Sequence, residues 1–384
     1  MTYAEISLST IWHNYLELRK LNLNKPIIPV IKADSYGHGA TRIMEFLFLK
    51  GVRRFAVAKI EEVFSLKEEL LSRGNKSIFE ESEILIFCPI PFRYLGVLLD
   101  DLNLIPIVSD VSFIRELEKL SRSAGRRLKF GIEIDTGMGR LGIHHRESNV
   151  LLDILWEVKN LDLVDIMTHF PSSDFDREFS LYQIEIFDRI LDKVKIIFPD
   201  VKSHVSNSGG VLNIPEGSKY DFARCGLSVY GYYPNMALVG KADIRNSLAL
   251  KSYVALRKFF RKGESISYNR TYFMDRDGYI AVVPCGYADG IPTLYSNNME
   301  VVIRGRRYSV VGRVTMDYIM VRVDEVVGPG DEVVIFGGCG YGSMRVEEFA
   351  SRVGLIPYEI TCGISKRVPR VYLNNDSSAP EMVT

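Results

Sequence analysis

From residue 11 to about 230, short apolar runs alternate with amphipathic stretches of helical length, the pattern of repeated βα units around a parallel sheet. Apolar runs at 26–31, 55–58, 84–88, 105–108, 128–134 and 163–168 predict strands, and 202–205 and 221–227 add two more. About eight such strands predict a (β/α)8 TIM-type barrel, with an open doubly wound sheet as the alternative. Between them, 110–124 and 178–197 carry apolar residues at three- and four-residue spacing with charges between, as barrel-packing helices do. Beyond about residue 236 the pattern shortens to alternating strands at 279–283, 300–303, 319–323 and 332–336. Gly328-Pro329-Gly330 and Gly337-Gly338 punctuate them as turns. A barrel domain at 1–235 followed by a smaller, mainly-β domain at 236–384 is therefore expected, with the polar stretch 374–384 fraying as a tail.

A chain of 384 residues exceeds what one hydrophobic core usually supports, which also favours two domains. Lys plus Arg and Asp plus Glu both number 48, so no net field selects nucleic acid or an anionic membrane, and small-molecule chemistry is the expectation. Cys88, Cys225, Cys285, Cys339 and Cys362 are scattered without metal-ligand spacing. Their odd number suits reduced thiols in a cytoplasmic protein and predicts no metal centre. The first fifteen residues show no signal-peptide pattern, and apolar runs such as 84–90 fall far short of the roughly 20 residues that cross a bilayer.

Chemistry first appears in Val30-Ile31-Lys32-Ala33-Asp34-Ser35-Tyr36-Gly37-His38-Gly39, where a lysine ends an apolar strand and a glycine-containing turn follows. In a barrel that position is the C-terminal mouth, where active sites are built. Taken alone, such a lysine simply snorkels to solvent. It does not stand alone. The stretch resembles the cofactor-lysine motif of the alanine racemase family, and the resemblance continues in family order across nearly the whole chain. It recurs in Asp135-Thr136-Gly137-Met138-Gly139-Arg140-Leu141-Gly142, Thr168-His169-Phe170, Asn207-Ser208, Arg224-Cys225-Gly226 and Ser267-Tyr268. Further on it includes Gly286-Tyr287-Ala288-Asp289-Gly290, Gly312-Arg313-Val314-Thr315-Met316-Asp317 and Arg367-Val368-Pro369-Arg370.

The resemblance implies an enzyme interconverting L-alanine and D-alanine, the latter for peptidoglycan, with pyridoxal 5'-phosphate held by Lys32 as a Schiff base. Racemisation needs proton transfer on both faces of the α-carbon, and the family pattern gives one face to Lys32 and the other to Tyr268. A free tyrosine has a pKa near 10, so neighbours must assist it. His169 and Arg224 are the implied helpers, with Arg224 facing the pyridine nitrogen. Tyr36, Ser208, Gly226 and Leu227 are the implied phosphate contacts, beside Asn207 in the same loop region. Arg140 is assigned to the cofactor's phenolic oxygen and to the substrate carboxylate. Tyr268, Tyr287, Met316 and Asp317 are expected to cross from a partner subunit, which implies a homodimer with shared sites.

Two departures stand out. Seven residues before its counterpart of Arg140 the family commonly carries a lysine that becomes carbamylated; this chain has Glu133, whose carboxylate would supply that negative charge directly and position Arg140. Where many members place a phosphate-binding tyrosine, this chain has Lys366, which would meet the phosphate as a point charge or turn to solvent. A racemase acting on serine or larger side chains is the alternative within the class. A decarboxylase of similar architecture would place a carboxylate against the pyridine nitrogen, whereas this chain offers Arg224 and no Glu-Pro-Gly-Arg motif.

Overall fold

The computed structural model describes residues 1–338 and 343–374 and the backbone of Glu381–Val383. Cys339 lies outside the described residues. Eight parallel strands, Ile27–Pro29, Arg54–Val57, Glu83–Ile86, Leu104–Val108, Leu128–Asp135, Leu161–Met167, Lys202–His204 and Ala223–Cys225, follow one another in spatial order. The last pairs with the first, and single parallel bridges Val30 to Ala56 and His204 to Phe222 close the remaining gaps into a barrel. Each strand lies within a few residues of its apolar run in the sequence, because a strand buried on both faces leaves polar residues only at its ends.

Helices seal the outside. Val111–Ala124 starts where the Asp110 carboxylate accepts the Ser112 N–H and stops at Gly125 in the left-handed region. Arg177–Ile197 is capped in the same way by Asp176. Inside the barrel, Ile28, Val30, Ala56, Leu85, Ile105, Ile107 and Met167 form a compact apolar cluster distinct from the larger core under the helices. The rest of the interior is polar: Glu133, Asp165, His204 and Arg224 are all buried there.

The second unit is a ten-stranded sheet among the described residues, in the order Leu256–Phe260, Gly278–Val283, Ile319–Val323, Arg306–Val310, Met299–Ile303, Glu332–Gly337, Leu248–Tyr253, Tyr3–Ser7, Arg370–Leu373 and Glu381–Val383. Two points correct the sequence reading. The strand Tyr3–Ser7, placed above with the barrel, pairs antiparallel with Leu248–Tyr253 and parallel with Arg370–Leu373. Its backbone groups are therefore satisfied by the second sheet. Within the tail expected to fray, Glu381–Val383 pairs antiparallel with Arg370–Leu373.

Candidate active site

The first barrel strand delivers Lys32 into a turn, Lys32–Gly37, in which Ala33, Asp34, Ser35 and Tyr36 all have φ of 50–55°. Four successive left-handed residues without glycine cost about 1–2 kcal/mol each, so the surroundings must impose them. They do so through named contacts. Glu62 accepts the Ala33 N–H at 2.6 Å, Asp34 accepts the Ala40 N–H at 2.7 Å, and Gly37 lies so close to helix Pro357–Cys362 that a Cβ there would sit 2.1 Å from the Thr361 oxygen. The handed turn sets Lys32 and Tyr36 on one side, with the Lys32 ammonium 6.0 Å from the Tyr36 ring centre.

Both side chains line a cavity of about 610 Å³ at the C-terminal ends of the barrel strands. Glu133, Arg140, His169, Asn207, Ser208, Arg224, Gly226 and Leu227 line it as well. Nine of the ten residues expected to bind cofactor, together with Glu133, thus meet in one space. Burial, then the Arg140 charge, lowers the pKa of Lys32, with Glu62 opposing. A lowered amine pKa favours the neutral, nucleophilic form.

Arg224 is the fixed cation of the wall. It donates to the Thr168 oxygen at 2.6 Å and to the His204 oxygen at 2.8 Å. Burial brings its pKa down to about 10, which still leaves it charged at neutral pH. His169, 3.4 Å from Arg224, is held neutral by burial and by the charges of Arg224, Arg140 and Lys32. Glu133 is 1% exposed. Burial pushes its carboxyl up while Arg224 and then Arg140 pull it down. Arg140 itself is exposed at the cavity rim. Asn207 caps Ser208–Asn213 through Oδ1, and Ser208 Oγ accepts the Ser228 N–H at 3.2 Å.

These residues fit a phosphorylated pyridine aldehyde. Lys32, Arg140 and Arg224 line the cavity with two carboxylates, Glu133 and Asp174, and the buried guanidinium of Arg224 offers an anion a fixed positive partner. At Gly226 a Cβ would lie 2.3 Å from the Tyr36 hydroxyl, so the missing side chain keeps a hydroxyl and the neighbouring backbone accessible together. Among the described residues no group of three His, Cys, Asp or Glu side chains is placed to hold a metal ion.

The remaining predicted residues lie elsewhere. Lys366 sits exposed on the turn after helix Pro357–Cys362 and lines a different cleft, with Asp34, Glu62 and Arg370. Of the two expectations for Lys366, contact with the phosphate or a turn to solvent, its exposed position outside the cavity favours the second. The same C-terminal helix instead brings Tyr358 and Cys362 into the cavity, Tyr358 standing edge-on to Tyr36 at 6.2 Å. Sequence reasoning missed both; Pro357 starting a short amphipathic segment was the available signal.

Tyr268, Met316 and Asp317 share a shallow groove on the second unit, apart from the Lys32 cavity, with Tyr268 70% and Met316 52% exposed. Tyr287 is bound to the same corner by its N–H to the Thr315 oxygen at 2.9 Å. Arg367 holds Asp317 at 2.9 Å and grips Asp289 with two further N–H groups. Before Tyr268, Ser267 has φ 67° and packs against Gly312, where a Cβ would lie 2.7 Å from the Ser267 Cβ. Tyr268 is thus presented outward on a constrained backbone.

Comparison with known proteins agrees with this geometry. The alanine racemase N-terminal domain family matches residues 6–234 and the alanine racemase C-terminal domain family matches residues 247–372. An alanine racemase of Carboxydothermus hydrogenoformans is 37% identical over 380 residues, 97% of this chain and 99% of that one. The structure of an alanine racemase from Clostridium difficile superposes with a TM-score of 0.88 at 30% identity, covering 100% of this chain and 97% of the other. A Bartonella henselae alanine racemase described with covalently bound pyridoxal phosphate superposes at 0.85 with 25% identity, covering 97% and 99%. The chain therefore belongs to the alanine racemase family.

Proposed function

We propose that this isomerase interconverts L- and D-alanine with Lys32 serving one face of the α-carbon and Tyr268 of a second copy serving the other. The carrying observation is the half-buried Lys32 amine, its pKa lowered, in a cavity beside the permanent charge of Arg224. Pyridoxal phosphate, when bound, supplies the electron sink that makes the α-proton removable. In this reading Lys32 holds the cofactor and takes or returns a proton at Nζ. Tyr36, Ser208, Gly226 and Leu227 hold the phosphate, with Asn207 shaping their loop. Arg224 faces the ring nitrogen as a donor that stays charged, and neutral His169 lies beside it.

Arg140, from the rim, orients the substrate carboxylate, and Glu133 supplies the buried negative charge that steadies it. Tyr268, Tyr287, Met316 and Asp317 complete the site from the partner, which makes the active form a homodimer, each chain divided at about residue 235 into a barrel and a β domain that also takes in Tyr3–Ser7. The exposure of Tyr268 and Met316 supports this, since exposed aromatic and thioether side chains on a constrained loop suit an interface. The product supplies D-alanine for peptidoglycan, in a cytoplasm that keeps the described cysteines free. Chiral separation after incubation with L-alanine, L-serine and L-lysine is the test. Turnover of alanine well above the others supports the reading; preference for another amino acid redirects it to a broader racemase.

A further inference from the structure

Beneath the cavity a chain of polar side chains runs through the barrel interior from its closed end to Arg224. Asp165, fully buried on strand Leu161–Met167, accepts from both terminal nitrogens of Arg54 and from His204 Nε2 at 3.0 Å. His204, also fully buried, turns Nδ1 to Arg224 Nη1. Arg54 begins strand Arg54–Val57 and pairs with Glu83, itself bound to Lys129 at 2.7 Å, in a cleft formed by the N-terminal ends of the strands. At Gly131 a Cβ would meet Ile107 at 2.5 Å and Asp165 Cβ at 3.1 Å, so the interior is full at this level and Asp165 has no room to turn away.

Donor and acceptor chemistry fixes the rest. Arginine only donates and an ionised carboxylate only accepts, so an imidazole between them satisfies both with one arrangement. Its single proton sits on Nε2 towards Asp165, and its lone pair on Nδ1 faces Arg224. Burial holds the His204 pKa down at about 4, so there is one ring proton to place at neutral pH.

We propose that Asp165 and Arg54 are positioning residues that lock His204 as the Nε2–H tautomer and, through it, set the plane in which Arg224 presents its guanidinium to the cavity. The proposal rests on the reading of Arg224 as the cation at the cofactor ring. It assigns a role to residues at the end of the barrel remote from Lys32. Asp165→Asn is the sharpest probe: an amide must turn its NH2 group towards either Arg54 or His204, both donors in the native arrangement.

The tautomer is read directly from nitrogen chemical shifts of holoenzyme labelled with 15N-histidine, with His204 assigned by the resonance lost in His204→Gln. We expect the native proton on Nε2, and its displacement to Nδ1, or exchange between the two, in Asp165→Asn. In the same variant kcat for alanine should fall by about tenfold or more, while KM and the cofactor Kd move by less than about threefold. Arg54→Lys keeps the charge without the fork, and should show the same changes in weaker form should Asp165→Asn not fold. A native proton on Nδ1, or both variants keeping the native tautomer and kcat within about twofold, overturns the proposal. If the native protein fails to turn over alanine, the functional reading falls while the tautomer still decides this one.

Discussion

At the scale of single residues the site is a balance of charges in a poorly solvated space. Glu133 is buried between the fields of Arg224 and Arg140, and its carboxyl is pushed up by that burial. Glu133→Gln removes the charge and keeps the shape. If the charge steadies Arg140, kcat/KM for alanine should fall by about tenfold, the scale of one charge-assisted hydrogen bond, mainly through KM. A purely structural carboxylate would instead shift the melting temperature and leave KM alone. The buried histidines give a second expectation. Burial lowers both His38 and His204 to about 4 from an ordinary 6.5. Between those values the unfolded chain binds protons that the native protein refuses, so stability is present above 6.5 and is lost as pH falls towards 4. At pH 5 the loss should be about 2 kcal/mol per histidine. Asp34 and Glu133, raised by burial, bind protons more tightly when folded and offset part of it. Urea midpoints measured from neutral pH to pH 5 should fall, and a His38→Gln variant should fall less.

At the scale of elements, what the sequence made legible was what local patterning controls. The run at 128–134 became Leu128–Asp135, and the helical spacing at 178–197 became Arg177–Ile197, because apolar period and capping carboxylates act over a few residues. The left-handed turn was not legible. Lys32-Ala33-Asp34-Ser35-Tyr36 contains no glycine to announce it, and its partners Glu62 and Thr361 are distant in sequence. The expected site residues fall into two groups in space, yet their spacing in the chain gave no hint that Lys366 lies outside the cavity while Tyr358 and Cys362 lie within it. Gly37 carries the most exacting geometry in the turn, with φ at 85° and a neighbouring carbonyl where a side chain would go. Gly37→Ala should therefore cost several kcal/mol, roughly 3 or more from strain and overlap together. It should also weaken cofactor binding by pushing the helix that carries Tyr358. Equilibrium unfolding and cofactor titration would register both; a variant with native stability would mean that the turn is less constrained than its contacts require.

At the scale of the molecule, the two units are stitched together by the N-terminus. Tyr3–Ser7 lies between Leu248–Tyr253 and Arg370–Leu373, and the helix Leu8–Leu21 then leads into the barrel, with Ser7 Oγ accepting the Thr10 N–H. A five-residue strand whose partners lie some 240 and 360 positions away left no local signature, which is why it was read as part of the barrel. Within one chain Tyr268 and Met316 share a groove apart from the Lys32 cavity. A two-base enzyme needs both groups at one carbon, so the proposed assembly can be tested by complementation. Lys32→Ala and Tyr268→Phe should each be inactive. Mixed in equal amounts under conditions that let subunits exchange, about half the dimers should be heterodimers, each with one site retaining both groups and one lacking both. Activity should then return to roughly a quarter of the native value, and only as fast as subunits exchange. If Tyr268 instead served the cavity of its own chain, every site in the mixture would still lack one group. Absence of recovery, with exchange confirmed by differently tagged subunits, would place both bases in one chain and remove the need for a partner.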